Sequence, residues 1–168
     1  MHQTLTGLLK NELAKYTDLI VYSDYHKTNE EKEGVSKVRK YLRNIKGFKS
    51  LTIIKRKQNL GLARSIIGGV SDILKNHEAV IVLEDDIVPS PHFLSYMNEA
   101  LKFHKNDDTV GSIHAYSYPC SKTLPETFFL RGADCWGWGT WRNSWNLFEK
   151  NGQILLEKIL HSDLSYDF

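Results

Sequence analysis

Short β-branched apolar runs alternate with segments of helical apolar spacing along this chain, and that alternation restricts it to few architectures. Residues 2–16 carry Leu5, Leu8, Leu9 and Leu13 at helical spacing, so the chain opens in or at the start of a helix. Residues 18–23 (DLIVYS) read as a buried strand. Residues 30–45 place Val35, Val38, Leu42 and Ile45 on one helical stripe, with Gly47 as a stop. A β-branched strand follows at 51–55, then a helix over 60–75 with Leu62, Ile66, Val70 and Ile73 on one face. Residues 79–83 (AVIVL) form a second buried strand. A helix over 91–104 opens with Ser90 as cap and Pro91 at its first position. Strands are expected at 110–115 and 128–130, and helices at 140–150 and 154–161. This order predicts an α/β chain, a three-layer sandwich around a mostly parallel sheet. No repeat, low-complexity segment or linker divides it, so residues 1–168 read as one domain.

Composition narrows the functional classes. No apolar run approaches the ~20 residues of a membrane span, and no signal-peptide pattern opens the chain. Cys120 and Cys135 match neither a metal spacing nor a disulfide framework, which favours a reduced, cytoplasmic setting. Net charge is only +2, yet no Asp or Glu lies between Gly34 and Ser71 while Lys and Arg recur there. The plain reading is a solvated helix face and loop. The sharper one is an electropositive flank for a phosphorylated donor, a lipid-linked acceptor or the inner face of an anionic membrane, with peripheral association. No nucleic-acid reading motif accompanies the charge, so nucleic acid is not an expected partner.

The strand at 79–83 runs straight into Glu84, Asp85 and Asp86. Three adjacent carboxylates repel one another and are costly to bury unpaired. At the carboxyl end of a strand, where open α/β sheets bind ligands, they can offer oxygen ligands to a hard divalent cation. Strand geometry would put Glu84 and Asp86 on one side and Asp85 on the other. A charged turn with a helix cap explains the triplet equally simply, and a receiver domain also ends a strand in acids.

Four further places carry chemistry. Asp24 follows the first strand, either as a turn residue or as an acceptor for a base N–H or ribose hydroxyl. In RKQNLGLARSIIGG, residues 56–69, Asn59 suits a helix cap and Gly61 a tight bend. Arg64 sits where the helix macrodipole disfavours a cation, unless a phosphate lies near; Lys57 shares that reading. In LRGADCWGWGTWRNSWNLFE, residues 130–149, Trp141, Trp145 and Phe148 are spaced to pack a helix on the core. Trp136, Gly137 and Trp138 precede them in a loop, with Asp134 just before. His114 ends the strand VGSIH, a position more often structural than catalytic.

Taken in order, these blocks resemble the GT-A glycosyltransferases, which are Rossmann-related. The likeness is strongest to family-2-like bacterial enzymes and to the Golgi N-acetylglucosaminyltransferase that carries Glu-Asp-Asp as its metal motif. The resemblance runs from about His2 to Phe148. It implies that Asp86, with Glu84, holds Mn²⁺ or Mg²⁺ against a donor diphosphate. It further implies that Glu84 or Asp85 contacts the metal's waters or the donor, and that Asp24, Asn59, Gly61 and Arg64 line the donor site. Trp136, Gly137, Trp138 and His114 would shape the sugar and acceptor pocket. Asp134 is the candidate for a sugar-hydroxyl contact or the catalytic base, although in the Golgi relative the base falls in a segment equivalent to one near or beyond Phe168. The implied activity is metal-dependent, inverting transfer from a nucleotide sugar, UDP-linked by preference, to a glycan or lipid-linked hydroxyl in polysaccharide or glycoconjugate synthesis.

Such domains open with a strand that precedes the first helix, so the chain reads as truncated at both ends, and an unpaired strand edge is expected where that strand would stand. Competing readings are a non-catalytic remnant that binds nucleotide or metal, a sugar-phosphate nucleotidyltransferase, whose glycine- and arginine-rich opening loop is absent, and a receiver domain, which the tryptophan block fits poorly.

Overall fold

A computed structural model describes residues 1–162. The chain begins with helix α1 (His2–Leu9), followed by a 3₁₀ turn (Glu12–Tyr16). The helix expected over 2–16 breaks between the two at Asn11, whose backbone is extended. Asn11 is buried, and its side chain bonds elsewhere: the amide donates to the Gly7 and Ser90 carbonyls, and its oxygen accepts from Leu94 N–H.

Strands β1 (Asp18–Ser23) and β2 (Ser50–Lys55) pair in parallel through helix α2 (Glu31–Leu42), with Asp18 beside Ser50 and Ser23 beside Lys55. Arg39 on α2 clasps the carboxyl end of this pair. Its guanidinium donates to the Ser23 hydroxyl, and to the Ser23, Asp24 and Arg56 carbonyls, at 3.0 to 3.2 Å. Helix α3 (Leu62–Leu74) then leads to β3 (Ala79–Val82), and α4 (Phe93–Phe103) to β4 (Ile113–His114). β5 (Trp138–Trp141), the single turn α5 (Arg142–Trp145) and α6 (Gly152–Leu160) complete the described elements.

The strands form two sheets rather than one mostly parallel sheet. β1 and β2 make the first; β3, β5 and β4 make the second in that order, with β5 antiparallel to both neighbours. Among the described residues β3 is therefore an edge strand, and neither β1 nor β3 pairs on its second edge. One apolar core nonetheless joins the sheets: Leu5 and Leu8 of α1, Val21 of β1, Leu42 of α2, Phe93, Leu94, Met97 and Leu101 of α4, Ile113 and Trp141.

Local expectations shift in four places. The strand at 110–115 contracts to two residues, and no strand forms at 128–130. Helix α4 starts at Phe93 behind His92, so Pro91 and Ser90 lie outside it. Residues 138–141 form a strand instead of opening a helix. Trp138, Thr140 and Trp141 are residue types that suit a strand, and a side chain at Gly139 would come within 3.1 Å of Met97, Leu101 and the Val80 carbonyl. Trp141 is in the core, its indole N–H donating to the Leu101 carbonyl, but Trp145 and Phe148 leave it. They stack on each other at 4.6 Å, with Phe148 47% exposed. Among the described residues no helix is long and apolar enough to cross a membrane. The segment near Phe168 lies outside the described residues.

Candidate functional site

β3 ends at Val82, and the acid triplet occupies a turn closed by Ile87 N–H donating to the Glu84 carbonyl at 3.3 Å. The alternating sidedness expected of a strand therefore does not hold. Glu84 is half-buried, while Asp85 and Asp86 are exposed. The turn is held from α1: the Thr4 hydroxyl donates to the Asp85 carbonyl at 2.7 Å, the N-terminal ammonium donates to the same oxygen, and Asn11 grips Ser90 and Leu94 just downstream. Burial, then the charges of Asp86 and Asp85, push the Glu84 carboxyl above its usual range.

A carboxylate crowded by like charge is the environment a cation relieves, and the donors are all hard oxygens. Among the described residues no group of three or more His, Cys, Asp or Glu is placed to hold a metal by itself.

The tryptophan loop lies beside this turn. β3 and β5 pair as far as Val82 and Trp138, and a side chain at Gly137 would come within 3.5 Å of Leu83, the residue before Glu84. Gly137 makes the corner with φ +76°, and a side chain there would approach Phe93 to 3.1 Å. On the other flank of β5, His114 pairs with Trp138, and Ala115 N–H donates to the Gly137 carbonyl. His114 shares a hydrogen bond with Ser112 through Nε2 at 2.7 Å. Its Nδ1 is buried and has no hydrogen-bond partner among the described residues. Burial holds its pKa down, opposed by the Asp134 charge.

Asp134 closes a tight turn. Its Oδ1 accepts the N–H groups of Cys135 and Trp136 at 2.6 and 3.1 Å. The Trp136 N–H contributes most to holding its pKa below the usual carboxylate range. Tyr116 and Tyr118 gather on Trp136 with ring centroids 4.8 and 5.6 Å away.

A second cluster sits at the end of β1. The Asp24 carboxylate accepts from Tyr25, Leu60 and Gly61 N–H groups at 2.9 to 3.1 Å, tying the loop before α3 to the first sheet. Asn59 is not the cap of α3. Gly61 holds that position with φ +74°, and Asn59 instead accepts from Gly61 N–H and donates to the Tyr25 carbonyl. Arg64 is exposed in the first turn of α3. Thus Glu84, Trp136, Gly137, Trp138, His114 and Asp134 come together, and Asp24, Asn59 and Gly61 come together separately.

Several working residues escaped the sequence reading. Tyr116 and Tyr118 alternate in HAYSYPC, a visible signal of aromatics in a loop after a strand. Arg39 was hidden in a run of basic residues, and nothing local marks Thr4 or Asn11 as supports of a turn about eighty residues away.

The model of the family described as Glycosyl transferase family 2 matches residues 1–163. Neither the curated proteins nor the solved structures returned a match.

Proposed function

This chain belongs to glycosyl transferase family 2, an α/β family of GT-A fold that transfers sugars, and on that premise we propose that it moves a sugar from a nucleoside-diphosphate donor, UDP-linked by preference, to a hydroxyl of a glycan or lipid-linked acceptor. The observation that supports the reading is the β3–β5 pairing, which ends with the Gly137 corner near Leu83, next to the acid turn, and with His114 paired to Trp138. Asp86 and Glu84 would hold Mg²⁺ or Mn²⁺, which when bound stabilises negative charge on the departing diphosphate. Asp24, Asn59 and Gly61 shape the loop on the donor side, with Arg64 exposed to the phosphates.

In this reading the acceptor oxygen attacks the anomeric carbon as the bond to the diphosphate oxygen breaks. The diphosphate leaves with the electron pair, and inversion follows from a single in-line displacement. The acceptor proton passes to a carboxylate base. Asp134 accepts two backbone N–H bonds that lower its basicity, which suits it to receiving a sugar hydroxyl more than to removing a proton. The same observation favours one second reading, a domain that binds donor and acceptor without turnover. The three-layer sandwich belongs to the proposal too: a strand paired with the free edges of both β1 and β3 would merge the two sheets. Polysaccharide or glycoconjugate synthesis on the cytoplasmic side is the setting that suits these substrates.

The test is release of nucleoside diphosphate from UDP- and GDP-sugars, with and without glycan acceptors and chelator. The transferase reading predicts release that needs both acceptor and divalent cation. Donor binding with no release from any pair would establish the non-catalytic reading, and neither binding nor release would end both.

A further inference from the structure

Three aromatic side chains of the loop between β4 and β5 remain open to solvent although they touch one another. Tyr116 is 42% exposed, Tyr118 59% and Trp136 39%. Tyr116 stands edge-on to the other two, at 88° to Tyr118 and 73° to Trp136, while Tyr118 and Trp136 lie within 39° of each other. A small core built to stabilise the loop would bury these rings, and exposed aromatic surface of this kind marks a binding face.

The geometry selects among ligands. A cage for an organic cation needs space between ring faces. Here the rings are in direct contact, with centroids 4.8 to 5.6 Å apart, so only their outward faces are free. An outward aromatic face with a hydrogen-bonding rim fits a pyranose, whose C–H face is apolar and whose edge carries hydroxyls. The rim is present. An ionised carboxylate has about four lone-pair sites, and Asp134 uses two of them on the Cys135 and Trp136 N–H groups. The platform adjoins the acid turn, because the Gly137 corner beside Trp136 packs near Leu83, the residue before Glu84.

We propose that Tyr116, Tyr118 and Trp136 form a stacking platform for a pyranose ring of the acceptor, and that the Asp134 carboxylate accepts a hydrogen bond from one of its hydroxyls. The acceptor is then a saccharide, bound by its ring and not by a lipid tail. This rests on the transferase reading for the ligand's role, but its binding test is separate.

Methyl glycosides and disaccharides of glucose, galactose and N-acetylglucosamine would be titrated into the full chain, with saturation-transfer NMR and tryptophan fluorescence as readouts. Choline and UMP serve as competing ligand classes, and metal-dependent UDP binding is followed in parallel. At least one saccharide should bind through its ring protons. Tyr118→Ala should weaken that binding about tenfold or more, the scale of one lost stacking face. Tyr118→Phe should keep most of it, and Asp134→Asn should weaken it while preserving the fluorescence change. UDP binding should be unchanged in all three. No saccharide binding alongside intact UDP binding overturns the platform and leaves the transferase reading standing. Choline or UMP displacing the saccharide, or binding in its place, also overturns it. Loss of UDP binding with saccharide binding intact sinks the transferase reading and spares the platform.

Discussion

Asn11 does more for the site than its distance in sequence from the acid turn implies. It is buried, and it spends both ends of its amide on Gly7, Ser90 and Leu94. Asn11→Ala leaves buried backbone groups unsatisfied and should cost about 2–3 kcal/mol, read by urea denaturation, together with weaker metal binding. A loss within error of zero would show that water or repacking replaces the amide. Glu84 makes a pH-dependent prediction. Its folded pKa is raised by burial and by Asp86 and Asp85, so the native state holds its proton more tightly than the unfolded chain. The resulting penalty is fully present at neutral pH and is relieved as pH falls through the raised pKa. A divalent cation offsets it only while Glu84 is ionised. The rise in melting temperature produced by Mg²⁺ or Mn²⁺ should therefore be larger at about pH 7.5 than at about pH 5, and Glu84→Gln should shrink the difference. Equal shifts at both values would contradict the assignment. At this scale the sequence exposed the acids, because charge after an apolar run is visible locally. It did not expose Thr4, Asn11 or Arg39, whose partners are distant in the chain.

Elements with one clear period were legible, and elements where two periods overlap were not. Helices α2 and α3 and the strands β1, β2 and β3 follow from their apolar spacing, with ends moved by a few residues. β5 was misread because Trp141, Trp145 and Phe148 keep helical spacing while residues 138–141 pair with β3. The close approach of α4 to Gly139 decides for the strand. That strand carries the tryptophan loop to the acid turn, so its corner matters. Gly137→Ala forces a side chain onto a φ of +76° and toward Phe93. It should destabilise the protein by about 1–3 kcal/mol and reduce saccharide binding more than nucleotide binding. A variant of unchanged stability would mean that the corner relaxes freely.

For the molecule as a whole, the alternating pattern correctly implied an α/β chain, but not how the strands divide. Sheet membership depends on which edges find partners, and here β1 and β3 keep an edge free among the described residues. Of the two clusters that the fold assembles, the proposal gives the one at Asp24 to the donor loop and the one at the acid turn to the metal, with the acceptor pocket beside it. Calorimetric titration of UDP-sugars in the presence and absence of Mn²⁺, on the chain as it stands and on Asp86→Ala, tests this account most directly. It predicts donor binding that requires the cation and disappears in Asp86→Ala. Binding of full strength without a cation, or surviving intact in the Asp86→Ala variant, would contradict it.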